Sequence, residues 1–171
     1  MIVPTVLAGV AGADVLTVGR FGQYDFTDLP HAVAQAADGD LIVVREGSYS
    51  GFVVEGKSLA IVAEAGVSVA GFTVQFLDPD QTVEILGLES HGSTPLAVFE
   101  NEGTVRLVGV RASALVWLEG SRAVELVDCA LAGDAFPALR AIASGWTHSG
   151  CVFGPFEMPL PAEPPIAPLP G

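Results

Sequence analysis

Three consecutive segments of the chain align with one another without a gap, and this internal repeat limits the possible folds more than any other feature. The segments are residues 74–89 (VQFLDPDQTVEILGLE), 96–111 (LAVFENEGTVRLVGVR) and 115–130 (LVWLEGSRAVELVDCA). Their spacing of 22 and 19 residues lies in the range of solenoid proteins. Short β-branched runs separated by Gly, Asp and Ser indicate strands and turns. We therefore predict one all-β coil per repeat.

Leucine-rich repeats are the main alternative for a period near 22 residues. Their Leu-x-x-Leu-x-Leu-x-x-Asn pattern is missing, and no helical half separates the segments. Two shorter segments extend the series, because residues 59–62 match residues 83–86 and residues 139–142 are predicted to occupy the same place in a later coil. The repeat thus indicates stacked β-coils along most of the chain.

A short helix and a strand are predicted before the repeats, in residues 28–49 (DLPHAVAQAADGDLIVVREGSY). Asp28 is suited to be the N-cap, and Pro30 falls in the first turn, where its missing N–H costs little. Residues 38–40 (DGD) end the helix, and residues 41–44 (LIVV) form a strand predicted to be covered on both sides. The apolar stripe of the helix consists of Ala32, Val33, Ala36 and Ala37.

This stretch resembles the N-terminal cap and first coil of right-handed parallel β-helix proteins of the pectin lyase-like superfamily. In these proteins a small helix, a Gly-Asp turn, an aliphatic strand and Gly-x-Tyr, here residues 47–49, recur. The stretch is most similar to the N-terminal part of pectin methylesterases and of uncharacterised secreted β-helix proteins. The resemblance implies a short right-handed parallel β-helix, an all-β solenoid, with an N-terminal capping α-helix. The QDT-like, DFIFG-like and RIK-like catalytic motifs of the pectin-active enzymes are not found in this sequence.

The ends of the chain differ in composition from the repeats. Residues 1–13 are apolar and small, and Ala-Gly-Ala before Asp14 is typical of a signal-peptidase site, although no Lys or Arg precedes it. We interpret them as a truncated signal peptide or an N-terminal strand. Residues 14–156 form the predicted β-helix domain, and residues 157–171 a proline-rich tail or linker. No apolar run reaches the roughly 20 residues of a membrane span.

The net charge of the protein limits the classes of partner that it is expected to bind. With 20 acidic and 7 basic residues, the formal net charge is −13, which argues against nucleic acid and anionic membranes. Polysaccharide or cell-surface components, and oligomers formed through coil ends or an apolar face, are the expected partners. Secretion or a cell-surface location is expected, and Cys129 and Cys151 could pair in an exported chain, which the sequence leaves open.

Stacked coils would place equivalent residues in columns about 4.8 Å apart, the spacing of neighbouring strands. One predicted column alternates in charge, with Glu84, Arg106, Glu125 and then Arg140, and Glu89 faces Arg111 in a second. The predicted core columns are Ile85, Leu107 and Leu126; Val83, Val105 and Val124; and Leu77, Phe99 and Leu118.

One predicted column is acidic and contains no basic residue that could pair with its carboxylates. It consists of Asp78, Glu100 and Glu119, which Asp134 would continue, and Asp80 and Glu102 form a parallel pair. Like charges at strand spacing repel, and oxygen ligands on turns suit Ca²⁺, so calcium is a candidate ligand although no cofactor is required. The alternative is a solvated acidic corner. A catalytic role would require a carboxyl pKa raised by burial, so no catalytic residue is assigned.

Aromatic residues provide a candidate contact surface. Phe76, Val98 and Trp117 align, either as a core stack at a bend or as an exposed strip for sugar stacking or subunit contact, which Trp146 would extend. Trp117 and Trp146 are therefore the candidate carbohydrate or partner contacts.

These observations lead to two function hypotheses. The first is a non-enzymatic extracellular or surface module with a structural or adhesive role, with carbohydrate as the candidate ligand. The alternative is a polysaccharide lyase, esterase or glycosidase of the pectin lyase-like superfamily, or a truncated fragment of one.

Overall fold

The chain winds into a parallel β-solenoid of about six turns, as seen in a computed structural model that describes residues 12–91, 94–132 and 139–154. Each full turn contributes one strand to each of three sheets, and every strand pair among the described residues is parallel. The predicted all-β solenoid is thus confirmed. Asp134, the first eleven residues and the proline-rich segment lie outside the described residues.

The strands are distributed over a seven-stranded, a six-stranded and a five-stranded sheet. The first sheet contains β1 (Val15–Val18), β2 (Asp40–Val44), β5 (Leu59–Ala63), β8 (Thr82–Leu86), β11 (Thr104–Val108), β14 (Ala123–Val127) and β17 (Trp146–Ser149). The second contains β3 (Gly47–Tyr49), β6 (Val67–Val69), β9 (Glu89–Ser90), β12 (Arg111–Ala112), β15 (Ala130–Leu131) and β18 (Val152–Phe153). The third contains β4 (Phe52–Glu55), β7 (Phe72–Gln75), β10 (Leu96–Phe99), β13 (Val116–Glu119) and β16 (Leu139–Ile142).

The predicted helix is present as α1 (Leu29–Gln35), between β1 and β2. Its N-cap is Asp28, whose side chain accepts a hydrogen bond from the Leu29 N–H at 3.1 Å. The predicted apolar stripe is correct for three residues but wrong for Ala37, which is exposed because the helix has its C-cap at Ala36. The buried residues of the helix and its C-cap are Leu29, Ala32, Val33 and Ala36.

The helix packs against β4, the end strand of the third sheet, and so covers the edge of that sheet. Lys57, from the turn after β4, donates from Nζ to the carbonyl oxygens of Val33 at 2.9 Å and Ala36 at 2.7 Å. A cation bound to the last carbonyls of a helix is favourable because it lies at the negative end of the helix dipole. This contact ties the cap to the following coil.

Inward-facing side chains of the three sheets form one hydrophobic core. Two predicted columns are confirmed, since Ile85, Leu107 and Leu126 are register partners and are buried, as are Val83, Val105 and Val124. β2 differs from the prediction of a strand covered on both sides. Its side chains alternate between fully buried and partly exposed, because its outer side carries no further layer.

The third predicted core column is wrong. Gap-free alignment pairs Phe99 with Leu118, whereas in the structure Phe99 pairs with Gln75 and Glu119, and Val98 pairs with Leu118. The physical reason is the turn between the third and first sheets, which comprises residues 76–81, 100–103 and 120–122 in successive coils. Because these turns differ in length, residues aligned after the turn are misaligned before it. The column of Phe76, Val98 and Trp117 is wrong for the same reason.

The charged columns are confirmed in their main part. Arg106 is the register partner of both Glu84 and Glu125, and it contacts them at 2.7 Å and 3.4 Å respectively. Arg111 lies 3.4 Å from Glu89 in the second sheet. The assignment of residues 139–142 to the first sheet is wrong, because β16 pairs with β13 in the third sheet. Arg140 therefore lies beside Trp117 rather than beside Glu125.

Candidate functional site

The turn between the third and first sheets begins with the same backbone conformation in successive coils, although its length differs. One residue there has positive φ in each coil, namely Gly56, Phe76, Glu100, Gly120 and Ala143. The N–H groups of the first four continue the ladder, as in the bond from the Glu100 N–H to the Glu119 carbonyl oxygen at 2.9 Å. A positive φ is strained for a residue with a Cβ, so its repetition shows that stacking determines this turn.

A polar ladder lies directly inside this turn, and sequence reasoning missed it. Asn101 is 1 % exposed and donates from Nδ2 to the Val74 carbonyl oxygen and to Ser121 Oγ, both at 3.1 Å. Its Oδ1 accepts from the Leu77 N–H at 3.1 Å. Ser121 is joined in turn to Ser144, whose Oγ accepts from the Ser121 N–H at 3.2 Å. The signal that could have revealed this ladder is a small polar residue directly after a turn residue in three successive coils.

The outward face of the third sheet is the candidate site, and we call it the aromatic face. Its two outward columns are Val53, Thr73, Ala97, Trp117 and Arg140, and Glu55, Gln75, Phe99, Glu119 and Ile142. Phe99 and Trp117 pack edge to face, with ring centroids 5.3 Å apart and planes inclined by 82°. The guanidinium carbon of Arg140 lies 5.5 Å from the centroid of the Trp117 ring. Two aromatic side chains and one cation thus form a group on the outward face of a parallel sheet.

Polar side chains surround this group. Gln75 donates from Nε2 to Glu55 Oε2 at 3.2 Å, and Glu119 follows Phe99 in the same column. The indole Nε1 of Trp117 is covered in this structure and has no hydrogen-bond partner among the described residues. The aromatic face therefore combines ring surfaces with carboxylate, carboxamide and guanidinium groups.

Trp146 does not extend this surface, contrary to the prediction. It lies in the first sheet, where it follows Val124 in an inward column. Its ring stacks on His148 at 5.5 Å and meets Phe153 edge to face at 6.5 Å. An open depression of about 320 Å³ beside it is also lined by Arg122, Glu125 and Thr147. Trp117 and Trp146 therefore belong to two separate surfaces.

The predicted acidic column is not one column. Glu119 is the register partner of Phe99, and Glu100 follows in the turn, so the third-sheet register separates residues that the gap-free alignment superposed. Asp78, Asp80, Glu100 and Glu102 are exposed. Within the described ranges, no group of three or more His, Cys, Asp and Glu side chains is arranged to hold a metal ion. Calcium binding at these residues stays a prediction, to be tested by melting in calcium and in magnesium at equal concentration.

Comparisons with known proteins add no family. No family model matches the sequence, and neither curated proteins nor solved structures give a match. The likeness to the pectin lyase-like superfamily therefore rests on residues 28–49, while the solenoid rests on the structure. Among the described residues, no helix is both long and apolar enough to cross a membrane.

Proposed function

We propose that the protein is a non-enzymatic, extracellular or surface β-helix module with a structural or adhesive role, and that it binds carbohydrate through the aromatic face. The observation that carries this proposal is the outward pair of Phe99 and Trp117, fixed edge to face on a rigid sheet with Arg140 beside it.

Rings held in place suit sugar binding for two reasons. The C–H faces of a pyranose pack on an aromatic ring, and a ring already fixed by its neighbours loses little conformational entropy when it binds. The nearby carboxylates and carboxamide are suited to accept and donate hydrogen bonds to further hydroxyls.

The charge of the protein determines which class of glycan we expect it to bind. A net charge of −13 repels polyanions at long range, and Arg140 is the single cation of the outward columns that form the aromatic face. We therefore expect neutral polysaccharides or amino sugars to bind more tightly than polyuronates. Raising the salt concentration should weaken the discrimination, because screening reduces the repulsion.

A glycan array followed by calorimetric titration of the best ligand tests the proposal. Trp117→Ala is expected to weaken binding about tenfold or more, the loss of roughly 1.4 kcal/mol of ring contact. Trp146→Ala, on a different sheet, is the matched control and should retain binding. Equal affinity of wild type and Trp117→Ala would overturn the assignment of this face, and the absence of any glycan ligand would leave a structural scaffold.

The alternative of a polysaccharide-active enzyme, or a fragment of one, is tested on the same ligands. Release of reducing sugar or of unsaturated product by the wild type, abolished in Glu100→Gln, would overturn the non-enzymatic proposal. Binding without product release is the result that we expect.

Self-association is the other contact expected from the sequence, and it stays a prediction. Strands β16, β17 and β18 are the last of their sheets within the described part of the chain, and residues 139–154 contain no Asp or Glu. Sedimentation velocity over a range of protein concentrations would show whether this end joins two copies.

A further inference from the structure

The two cysteines occupy neighbouring places in one inward column. This column lies at the start of the second sheet, where Gly47 precedes Val67, and from there on it consists of Val67, Leu88, Val110, Cys129 and Cys151. Ala130 pairs with Val152, so the residues just before them, Cys129 and Cys151, stack one turn apart. The aliphatic residues Val67, Leu88 and Val110 fill the three places before the cysteines and are fully buried. Cysteine replaces the aliphatic residue in the last two coils that the structure describes.

The contacts of the thiols confirm that they are neighbours. The Cys129 N–H donates to Cys151 Sγ at 3.4 Å. Each thiol also donates to a carbonyl oxygen of the preceding coil, Cys129 to Leu107 at 3.3 Å and Cys151 to Leu126 at 3.4 Å. Both cysteines are free thiols in this structure. Equivalent contacts show that the two side chains lie in equivalent places on adjacent coils.

Direct neighbours on adjacent strands have the spacing that a disulfide requires. Parallel strands lie about 4.8 Å apart, and bridged cysteines have Cα atoms about 4.4–6.8 Å apart with slightly closer Cβ atoms. β18 is the last strand of its sheet among the described residues, so a shift of a few tenths of an ångström meets little resistance there. We propose that Cys129 and Cys151 form a site of reversible oxidation, whose disulfide fastens the last coil to the coil before it.

The reaction is a thiol–disulfide exchange with a small-molecule disulfide. Cys151 is partly exposed, whereas Cys129 is 1 % exposed and its burial raises the pKa of its thiol to about 11. Cys151 therefore attacks first, as the thiolate, and forms a mixed disulfide while one small thiol leaves. Cys129 then gives its proton to solvent and displaces the second small thiol from Cys151. In total, two protein thiols and one disulfide yield one protein disulfide and two small thiols.

The bond has a structural consequence for the end of the solenoid. Every side chain of strands β16 and β17 is partly or fully exposed, whereas each earlier strand has at least one buried side chain. A bridge between residues 129 and 151 closes a loop around most of this coil and removes freedom from its opened states. Oxidation should therefore slow hydrogen exchange in residues 139–154 more than elsewhere, and it should raise the melting temperature by about 5–10 °C.

The test treats the folded full-length protein with oxidised glutathione, followed by alkylation and peptide mapping. We expect a cross-linked peptide pair containing Cys129 and Cys151, a loss of two hydrogens, and a raised melting temperature that dithiothreitol reverses. Cys129→Val, which restores the residue type of the preceding coil, should instead retain glutathione on Cys151. Cys151→Ser should take up no glutathione while folded.

Two results would overturn the proposal. One is a wild-type protein that retains glutathione on Cys151 without forming the cross-link. The other is a cross-linked protein whose melting temperature and hydrogen exchange equal those of the reduced form.

Discussion

Replacing Asn101 by alanine is expected to destabilise the protein strongly, because its side chain satisfies backbone groups in the interior. Asn101 is 1 % exposed, and its Oδ1 is the acceptor for the N–H of Leu77, which is itself 2 % exposed. Alanine leaves that N–H buried without its acceptor, at a cost of about 1–3 kcal/mol. Loss of the bond to the Val74 carbonyl oxygen adds about 0.5–1.5 kcal/mol.

The expected loss in the free energy of unfolding is therefore roughly 2–4 kcal/mol. For a chain of this size, such a loss lowers the melting temperature by roughly 5–15 °C. Urea unfolding followed by circular dichroism at 25 °C measures the free energy, and an unchanged slope would show that the unfolded state is not altered. Glu102→Ala is the matched control, since this exposed residue lies in the same turn and should change stability by less than about 0.5 kcal/mol.

The reasoning would be refuted if Asn101→Ala cost less than about 1 kcal/mol, or no more than the Glu102 control. A double-mutant cycle with Ser121→Ala adds a second check, because Asn101 Nδ2 donates to Ser121 Oγ. We expect the two losses to be non-additive. Additive losses would show that the polar ladder does not act as a connected group.

Three further predictions concern the ion pairs of Arg106, the contact between Thr17 and Asp25, and the capping helix. Arg106→Ala should cost about 0.5–1.5 kcal/mol, because its carboxylate partners are partly or fully exposed, and 0.5 M salt should remove most of the difference in urea midpoint; an undiminished difference would contradict this. The side-chain hydroxyl of Thr17, and then its backbone N–H, hold the pKa of Asp25 below 3.8. The wild type should therefore be more stable than Asp25→Asn at pH 7, and it should lose this advantage as the pH falls below about 4 through the folded-state pKa. Equal differences in urea midpoint between the two proteins at pH 7 and at pH 2 would contradict this prediction. Lys57→Met should speed hydrogen exchange in α1 and cost about 1 kcal/mol, with Lys57→Arg as the milder control, and unchanged exchange in α1 would show that the lysine does not secure the cap.

Several features of the fold could be read from the sequence because they lie on one side of a turn. Side chains alternate between the two faces of a strand with a fixed period of two. The alignment of Val83, Val105 and Val124 therefore predicts correctly that they are buried in one column. The same alignment placed Arg106 between two glutamates. Asp28 and Pro30 likewise marked the start of α1, since capping depends on residues close in sequence.

The candidate site could be read only in part. The sequence predicts Trp117 as a candidate contact residue, and this role stays a prediction, but it places the actual neighbours of Trp117, Phe99 and Arg140, in other columns. The error arose at the turn between the third and first sheets, whose length differs from coil to coil. A gap-free alignment carries no information on how many residues a turn absorbs, so it cannot place the strand on the far side.

By itself, the sequence determined that this chain forms stacked β-coils with an apolar interior, a capping helix and ion-paired columns, because each of these follows from local periodicity and short-range spacing. Only the tertiary structure decided which residues meet across coils on the third sheet, and that the buried Asn101 and Ser121 form a polar ladder with the partly buried Ser144. The physical reason is that turns with positive φ, as at Glu100, let the backbone stay in register while the number of turn residues varies. Side-chain neighbours across coils therefore depend on the stacked backbone rather than on the order of residues.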